Sequence, residues 1–161
     1  MYLLIILTII LDYLLIYFLP SFFNQISLFY PMLTLTLIVF LYKKIDNKKY
    51  FKLVFIIGFI YDLLFSYIFL FNSLIFLMFA KVIKKVDKYI RYNLFVNIIL
   101  VIIFIFLYDF ILFLLVLISD YNLVSLSDLI YKFKNSCILN ISFYILISIG
   151  FKNVKFIKRK K

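Results

Sequence analysis

Long apolar stretches separated by short basic segments decide what this chain can fold into. A helix that crosses a bilayer needs about 20 mostly apolar residues, and in residues 93–118 the only charge is Asp109. Hydrophobic residues make up 68% of the sequence and charged residues 16%, whereas soluble domains are about half apolar and about a quarter charged. A chain of 161 residues has too much surface to hide this apolar excess from water. The composition therefore predicts an all-α, multi-pass integral membrane protein of the cell membrane.

The residue types that many enzymes need are scarce. The sequence contains no His and no Glu, and Cys137 is its single cysteine. These absences exclude His-based zinc sites, Ser-His and Cys-His nucleophiles and Glu-dependent hydrolase motifs. Cys137 lies in an apolar stretch, where a small buried hydrophobic side chain is expected. We therefore expect no catalytic residue, no metal ligand and no cofactor-binding residue, and hence a protein that is not an enzyme.

The positions of the basic residues matter more than the net charge of +11, which in a soluble protein would suggest nucleic acid. Sixteen of the 18 Lys and Arg residues lie in residues 43–52, 81–91 and 152–161, and the exceptions are Lys132 and Lys134. Cytoplasmic segments concentrate Lys and Arg, so all three segments are expected inside. There they attract anionic lipid of the bilayer at about 1 kcal/mol per residue, and a specific cytoplasmic partner is the alternative. No nucleic-acid partner is expected.

Charge also sets the number of spans. Two inside flanks require an even number of crossings, so residues 53–80 are predicted to form a tight hairpin that turns near residues 71–73. The first apolar run lacks the basic start and the small-residue cleavage site of a signal peptide, so it is predicted to be a span. Residues 1–151 then form one transmembrane domain with both termini inside, and 152–161 form a basic cytoplasmic tail. The six spans are predicted at about 2–19, 30–42, 48–67, 71–88, 93–118 and 130–151. The alternative has five spans, with the first segment or the hairpin lying in the interface.

Three acids lie near the middle of predicted spans, namely Asp12, Asp62 and Asp109. Such a residue costs about 2.5–3.5 kcal/mol to insert, so it is normally turned toward the protein interior and paired. Partners are expected among polar residues of other helices: Asn72, Asn97, Asn140, Ser142, Lys132 and Lys134. Three interpretations remain open, which are a hydrogen-bonded cluster that fixes helix packing, a ligand or ion site, and a catalytic aspartate pair.

Gly58 and Pro31 are further candidates for structural or partner-contact positions. Gly58 lies four residues before Asp62 on the same helical face, where the absence of a side chain lets a neighbouring backbone approach. Pro31 is placed where the first turn of a helix tolerates proline. Gly150 is expected to end the last helix.

Four short motifs resemble the family of the rod shape-determining protein MreD. They are Phe29-Tyr30-Pro31, Gly58-Phe59-Ile60-Tyr61-Asp62-Leu63-Leu64, Phe69-Leu70-Phe71-Asn72 and Leu107-Tyr108-Asp109. The whole chain also resembles this family in its small size and basic tail, although it is poorer in glycine. The resemblance implies a non-enzymatic scaffold of the bacterial elongation machinery, which directs lateral peptidoglycan synthesis and maintains cell shape. It implies an MreC-type bitopic partner, RodA and a class B penicillin-binding protein, and indirectly the MreB filament.

Two other functions remain open. The MreD family is similar in fold to the six-helix substrate-binding subunit of energy-coupling-factor transporters, so vitamin binding is the main alternative. It predicts an outer cavity lined by Tyr, Asn and Lys132 or Lys134. Asp62 and Asp109 could also form an intramembrane aspartyl peptidase pair, but the Asn, Gly and Arg residues that accompany such acids are missing. Short loops on both sides leave little room for soluble chemistry, which favours the scaffold.

Overall fold

Six α-helices make up the part of the chain that the computed structural model describes, which is residues 1–22, 31–65, 68–90, 93–119 and 125–151. These residues contain no strand, so the predicted all-α fold is confirmed for them. The helices are α1 (Tyr2–Phe22), α2 (Leu33–Leu41), α3 (Asn47–Phe65), α4 (Phe71–Tyr89), α5 (Leu94–Ser119) and α6 (Leu126–Gly150). The predicted tail at 152–161 and the residues Phe29 and Tyr30 lie outside the described residues.

The α3–α4 hairpin agrees with the sequence prediction except at its turn. The predicted spans 48–67 and 71–88 correspond to α3 and α4. The sequence predicts a turn near residues 71–73, but these residues form the first turn of α4, and Leu70 precedes them in a left-handed conformation with φ 62°. This prediction was wrong because Asp62 of α3 accepts hydrogen bonds from the backbone N–H groups of Asn72 and Ser73. A capped helix start can therefore carry polar residues that resemble a loop.

α2 lies at the centre of the helix bundle. Its nine residues are all buried, and it packs against α1, α4, α5 and α6. The sequence predicts a span over 30–42, but the helix begins only at Leu33, with Met32 as its N-cap and Pro31 just before it. It begins there because Asp12 of α1 caps its first turn. A helix of this length measures about 14 Å, so α2 is too short to cross a bilayer by itself.

The longer helices pack around α2 through aromatic and hydrogen-bonding contacts. The buried Tyr50 of α3 donates a hydrogen bond from its hydroxyl to the carbonyl oxygen of Ile38, at 3.1 Å. Phe79 of α4 and Phe104 of α5 stack with ring centroids 4.5 Å apart. Sequential helices pack as the pairs α1–α2, α3–α4 and α5–α6, so the bundle is built from three hairpins around the buried α2.

Apolar side chains cover the outside of the bundle as well as its core. The segments Leu94–Ile118 and Leu129–Gly150 are long and apolar enough to cross a membrane, and α1 contributes the shorter apolar segment Tyr2–Tyr17. Within an apolar stretch of 18 residues, only 33% of the residues of the first segment and 22% of those of the second are buried within the protein. Core helices of soluble proteins are mostly buried, so these apolar faces need a covering from outside the chain.

Candidate functional site: three buried aspartates

Asp12 of α1 caps the central helix α2. Its carboxylate oxygens accept hydrogen bonds from the backbone N–H groups of Leu33 and Thr34, both at 2.9 Å. The first N–H groups of a helix have no partner within the helix, and the helix dipole favours negative charge at this end. The fully buried Asp12 therefore stabilises a helix start that is itself buried.

Asp62 of α3 caps the start of α4 in the same way, with one additional hydrogen bond. It accepts hydrogen bonds from the N–H of Asn72 at 2.7 Å, from the N–H of Ser73 at 3.0 Å and from the hydroxyl of Ser73 at 2.8 Å. Three donors to one carboxylate compensate for its burial. The predicted partner residue Asn72 is confirmed, although the contact uses its backbone and not its side-chain amide.

Gly58 brings α4 close enough for these bonds. A Cβ atom built on Gly58 would lie 2.5 Å from Cα of Ser73 and 2.9 Å from its backbone nitrogen. Both atoms belong to Ser73, whose backbone N–H also donates to Asp62, one helical turn after Gly58 on α3. The two helices therefore meet at Gly58 without an intervening side chain. The close approach predicted for Gly58 is confirmed.

Asp109 of α5 has a different kind of partner. Its carboxylate lies 3.4 Å from Nζ of Lys132 in α6, and its side chain is completely buried. Lys132 is one of the partners predicted from the sequence, and this pairing is confirmed. Neither carboxylate oxygen has a hydrogen-bond partner within the described residues, so the ion pair is the main compensation for this buried charge.

The three acids share one arrangement. Each lies on the first helix of a hairpin and contacts the second helix, because Asp12 faces α2, Asp62 faces α4 and Asp109 faces α6. Asp62 and Asp109 therefore engage separate partners, whereas an aspartyl protease dyad requires two carboxyls that share a proton. The described residues contain no group of three His, Cys, Asp or Glu side chains that could hold a metal ion. The arrangement stabilises helix packing.

A line of polar residues on α6 was missed by the sequence analysis. Lys132, Ser136, Asn140, Tyr144 and Ser148 follow one another at intervals of four residues. Asn140 accepts a hydrogen bond from the hydroxyl of Thr36 in α2 at 2.8 Å, and Tyr144 accepts one from the side-chain amide of Asn97 in α5. These bonds hold α6 against α2 and α5. Spacing of four residues was the signal that could have identified this face.

Three residues that were expected to pair with the acids form other hydrogen bonds instead. Asn97 and Asn140 bond within this polar line, and the exposed Ser142 donates to the carbonyl oxygen of Ile138 at 2.9 Å in its own helix. Asn72 also accepts a hydrogen bond from the hydroxyl of Tyr108 at 2.7 Å. Tyr108 precedes Asp109, so this bond connects the α3–α4 hairpin to α5 beside the third acid.

Replacing Asp62 tests whether its bonds hold the hairpin together. We expect Asp62→Ala to lower the free energy of unfolding by about 2–3 kcal/mol, because it leaves buried N–H groups without an acceptor. Asp62→Asn should lower the free energy of unfolding less, since its side-chain carbonyl oxygen can still accept some of these hydrogen bonds. Asp87→Ala is the control, because it removes a partly exposed ion pair with Lys43, and such pairs contribute at most about 1 kcal/mol. Equal stability of all three variants in SDS titrations from mild detergent would contradict the capping role.

Comparison of the chain with protein-family models, with curated protein sequences and with solved structures gives no match.

Proposed function

We propose that this protein is a multi-pass membrane scaffold without catalytic activity, which binds other membrane proteins of the bacterial cell-elongation machinery. The observation that carries the proposal is an exposed apolar stripe on α1. The proposal is further supported by the buried acids, since each has a partner within the chain and serves packing. The resemblance to MreD supports the elongation machinery as the setting.

The arrangement of the basic residues supports a cytoplasmic location for the ends of α2, α4 and α6. Lys43, just after α2, forms an ion pair with Asp87 near the end of α4 at 3.2 Å. Lys44 donates a hydrogen bond to the carbonyl oxygen of Phe151, just after α6, at 2.8 Å. The ends of three helices and the basic residues beside them therefore lie at one end of the bundle. Because cytoplasmic segments concentrate Lys and Arg, this end is the inner one in our proposal.

The α1 stripe has the spacing that a second helix recognises. It consists of Leu3, Leu7, Ile10, Leu14 and Tyr17, which are separated by four, three, four and three residues. All five are exposed, from 41% at Leu14 to 77% at Leu3. Alternating spacings of three and four place side chains in one seam between two helices that cross at about 20°. Within the described residues α1 packs mainly against α2, so this seam lacks a helix of the same chain.

The occupant that we propose for the stripe is the transmembrane helix of an MreC-type bitopic protein. A bitopic partner supplies one apolar helix, which matches one seam. Association of helices in a bilayer depends on close packing of side chains and not on the hydrophobic effect. The regular stripe offers such packing, whereas scattered apolar residues would only face lipid.

Photocrosslinking from neighbouring positions of α1 tests this function. A photoreactive residue at Ile10, which is 51% exposed, should crosslink to the bitopic partner in intact membranes. The same residue at Ile9, which is 6% exposed, should crosslink within the chain only. Capture of the partner at Ile9 as efficiently as at Ile10, or at neither, in membranes that contain both proteins would overturn the proposed interface.

A further inference from the structure

A groove of about 600 Å³ opens between α1 and α3. Its α1 side is formed by Ile5 and Ile6, and its α3 side by Ile56, Ile57 and Ile60. Beyond this groove, Tyr13 in the middle of α1 and Phe65 at the end of α3 approach each other with ring centroids 6.0 Å apart. The groove is thus apolar along its length, and an aromatic contact between the same two helices lies beyond it.

The other end of the groove is basic. Lys49 and Lys52 line it there, three residues apart and so on one face of α3. Both side chains are exposed, and no ion pair among the described residues involves either of them. Both precede the apolar part of α3, at the end of the bundle that carries the other basic segments. The groove therefore combines an apolar wall with two available positive charges at one end.

We propose that this groove is a binding site for an anionic phospholipid, with an acyl chain along the isoleucines and the phosphate beside Lys49 and Lys52. A free phosphate or a nucleotide would leave the apolar wall without a partner, and a neutral lipid would leave the two charges without one. Basic pockets between transmembrane helices on the cytoplasmic side suit anionic headgroups. The inference rests on the membrane location in the proposed function but not on the bitopic partner, because the groove and the α1 stripe share no residue.

Lipid titration of the full-length protein in mild detergent, followed by native mass spectrometry, tests the site. Phosphatidylglycerol should bind more tightly than phosphatidylcholine with the same acyl chains. Lys49→Gln/Lys52→Gln should weaken phosphatidylglycerol binding about 25-fold, since each lysine near a membrane surface contributes about fivefold. The control Lys84→Gln/Lys88→Gln removes the same charge from a different basic cavity on α4 and should weaken phosphatidylglycerol binding far less, because these lysines do not line the groove. Equal losses in both double variants, or equal binding of the two lipids, would overturn the site.

A second variant tests the apolar wall without changing charge. Ile6→Trp should occupy the groove and reduce phosphatidylglycerol binding at least fivefold, whereas Leu7→Trp, on the neighbouring exposed face of α1, should leave it unchanged. Glycerol phosphate, which has the headgroup charge but no acyl chain, should not compete. Competition by glycerol phosphate or unchanged lipid binding in Ile6→Trp would overturn the proposal. A negative result for lipid binding would not change the crosslinking expected at Ile10. The lipid site and the scaffold function can therefore be contradicted independently.

Discussion

Gly58→Ala should lower the free energy of unfolding by about 3 kcal/mol, toward the upper end of the cost of overpacking a tightly packed site. The added methyl group would lie 2.5 Å from Cα of Ser73, and a backbone atom cannot move aside as a flexible side chain can. Separation of α3 from α4 would also lengthen the bonds that Asp62 accepts from Asn72 and Ser73. Loss of helicity during SDS titration, followed by circular dichroism, measures the change.

Gly150→Ala is the matched control for this substitution. A Cβ atom on Gly150 would have no neighbour within 4 Å, and alanine has a helix propensity about 1 kcal/mol better than glycine. We therefore expect Gly150→Ala to leave stability unchanged or slightly raised. A Gly58→Ala variant as stable as Gly150→Ala would show that the α3–α4 contact is not as close as described.

Lys132→Met should destabilise the protein by about 3–5 kcal/mol, the cost of removing one partner of a buried ion pair. The effect is large because Asp109 is completely buried and the described residues offer it no hydrogen bond to replace the lysine. Asp109→Asn should cost less, because the Lys132 side chain is 23% exposed and its ammonium group can turn toward a polar surface. The asymmetry between the two single variants is measurable in the same SDS titration.

A double variant distinguishes loss of the ion pair between Asp109 and Lys132 from other effects of replacing a side chain on α6. Asp109→Asn/Lys132→Met contains no unpaired charge, so it should recover most of the stability that Lys132→Met loses. Lys134→Met is the matched control, since Lys134 is exposed two residues away on the same helix and should tolerate the change. Additive losses in the double variant would show that the two side chains do not interact.

The boundaries of α3, α4 and α5 were predictable because charge and apolar length determine them, whereas α6 begins four residues before its predicted start at residue 130. The α3–α4 hairpin and α5 begin and end within two residues of the predicted spans, since a lysine-rich segment marks one end of each. Lys132 was also a predictable partner of Asp109, as one of only two basic residues outside the three basic segments 43–52, 81–91 and 152–161. By contrast, a turn was wrongly predicted near residues 71–73, because the polar residues Asn72 and Ser73 suit a helix start as well as a loop.

The sequence alone determined that this chain is built from apolar helices and that Asp12, Asp62 and Asp109 each need a partner, since a buried charge without one is too costly. For Asp12 and Asp62, only the tertiary structure decided which backbone groups those partners are. Asp12 and Asp62 accept hydrogen bonds from backbone N–H groups. Nearly every residue has such a group, so residue type does not identify these partners. Which groups are available depends on where the neighbouring helix starts, and for α2 that start lies inside the bundle at Leu33. Only the packing of one helix beside another brings a carboxylate and an unpaired helix end together.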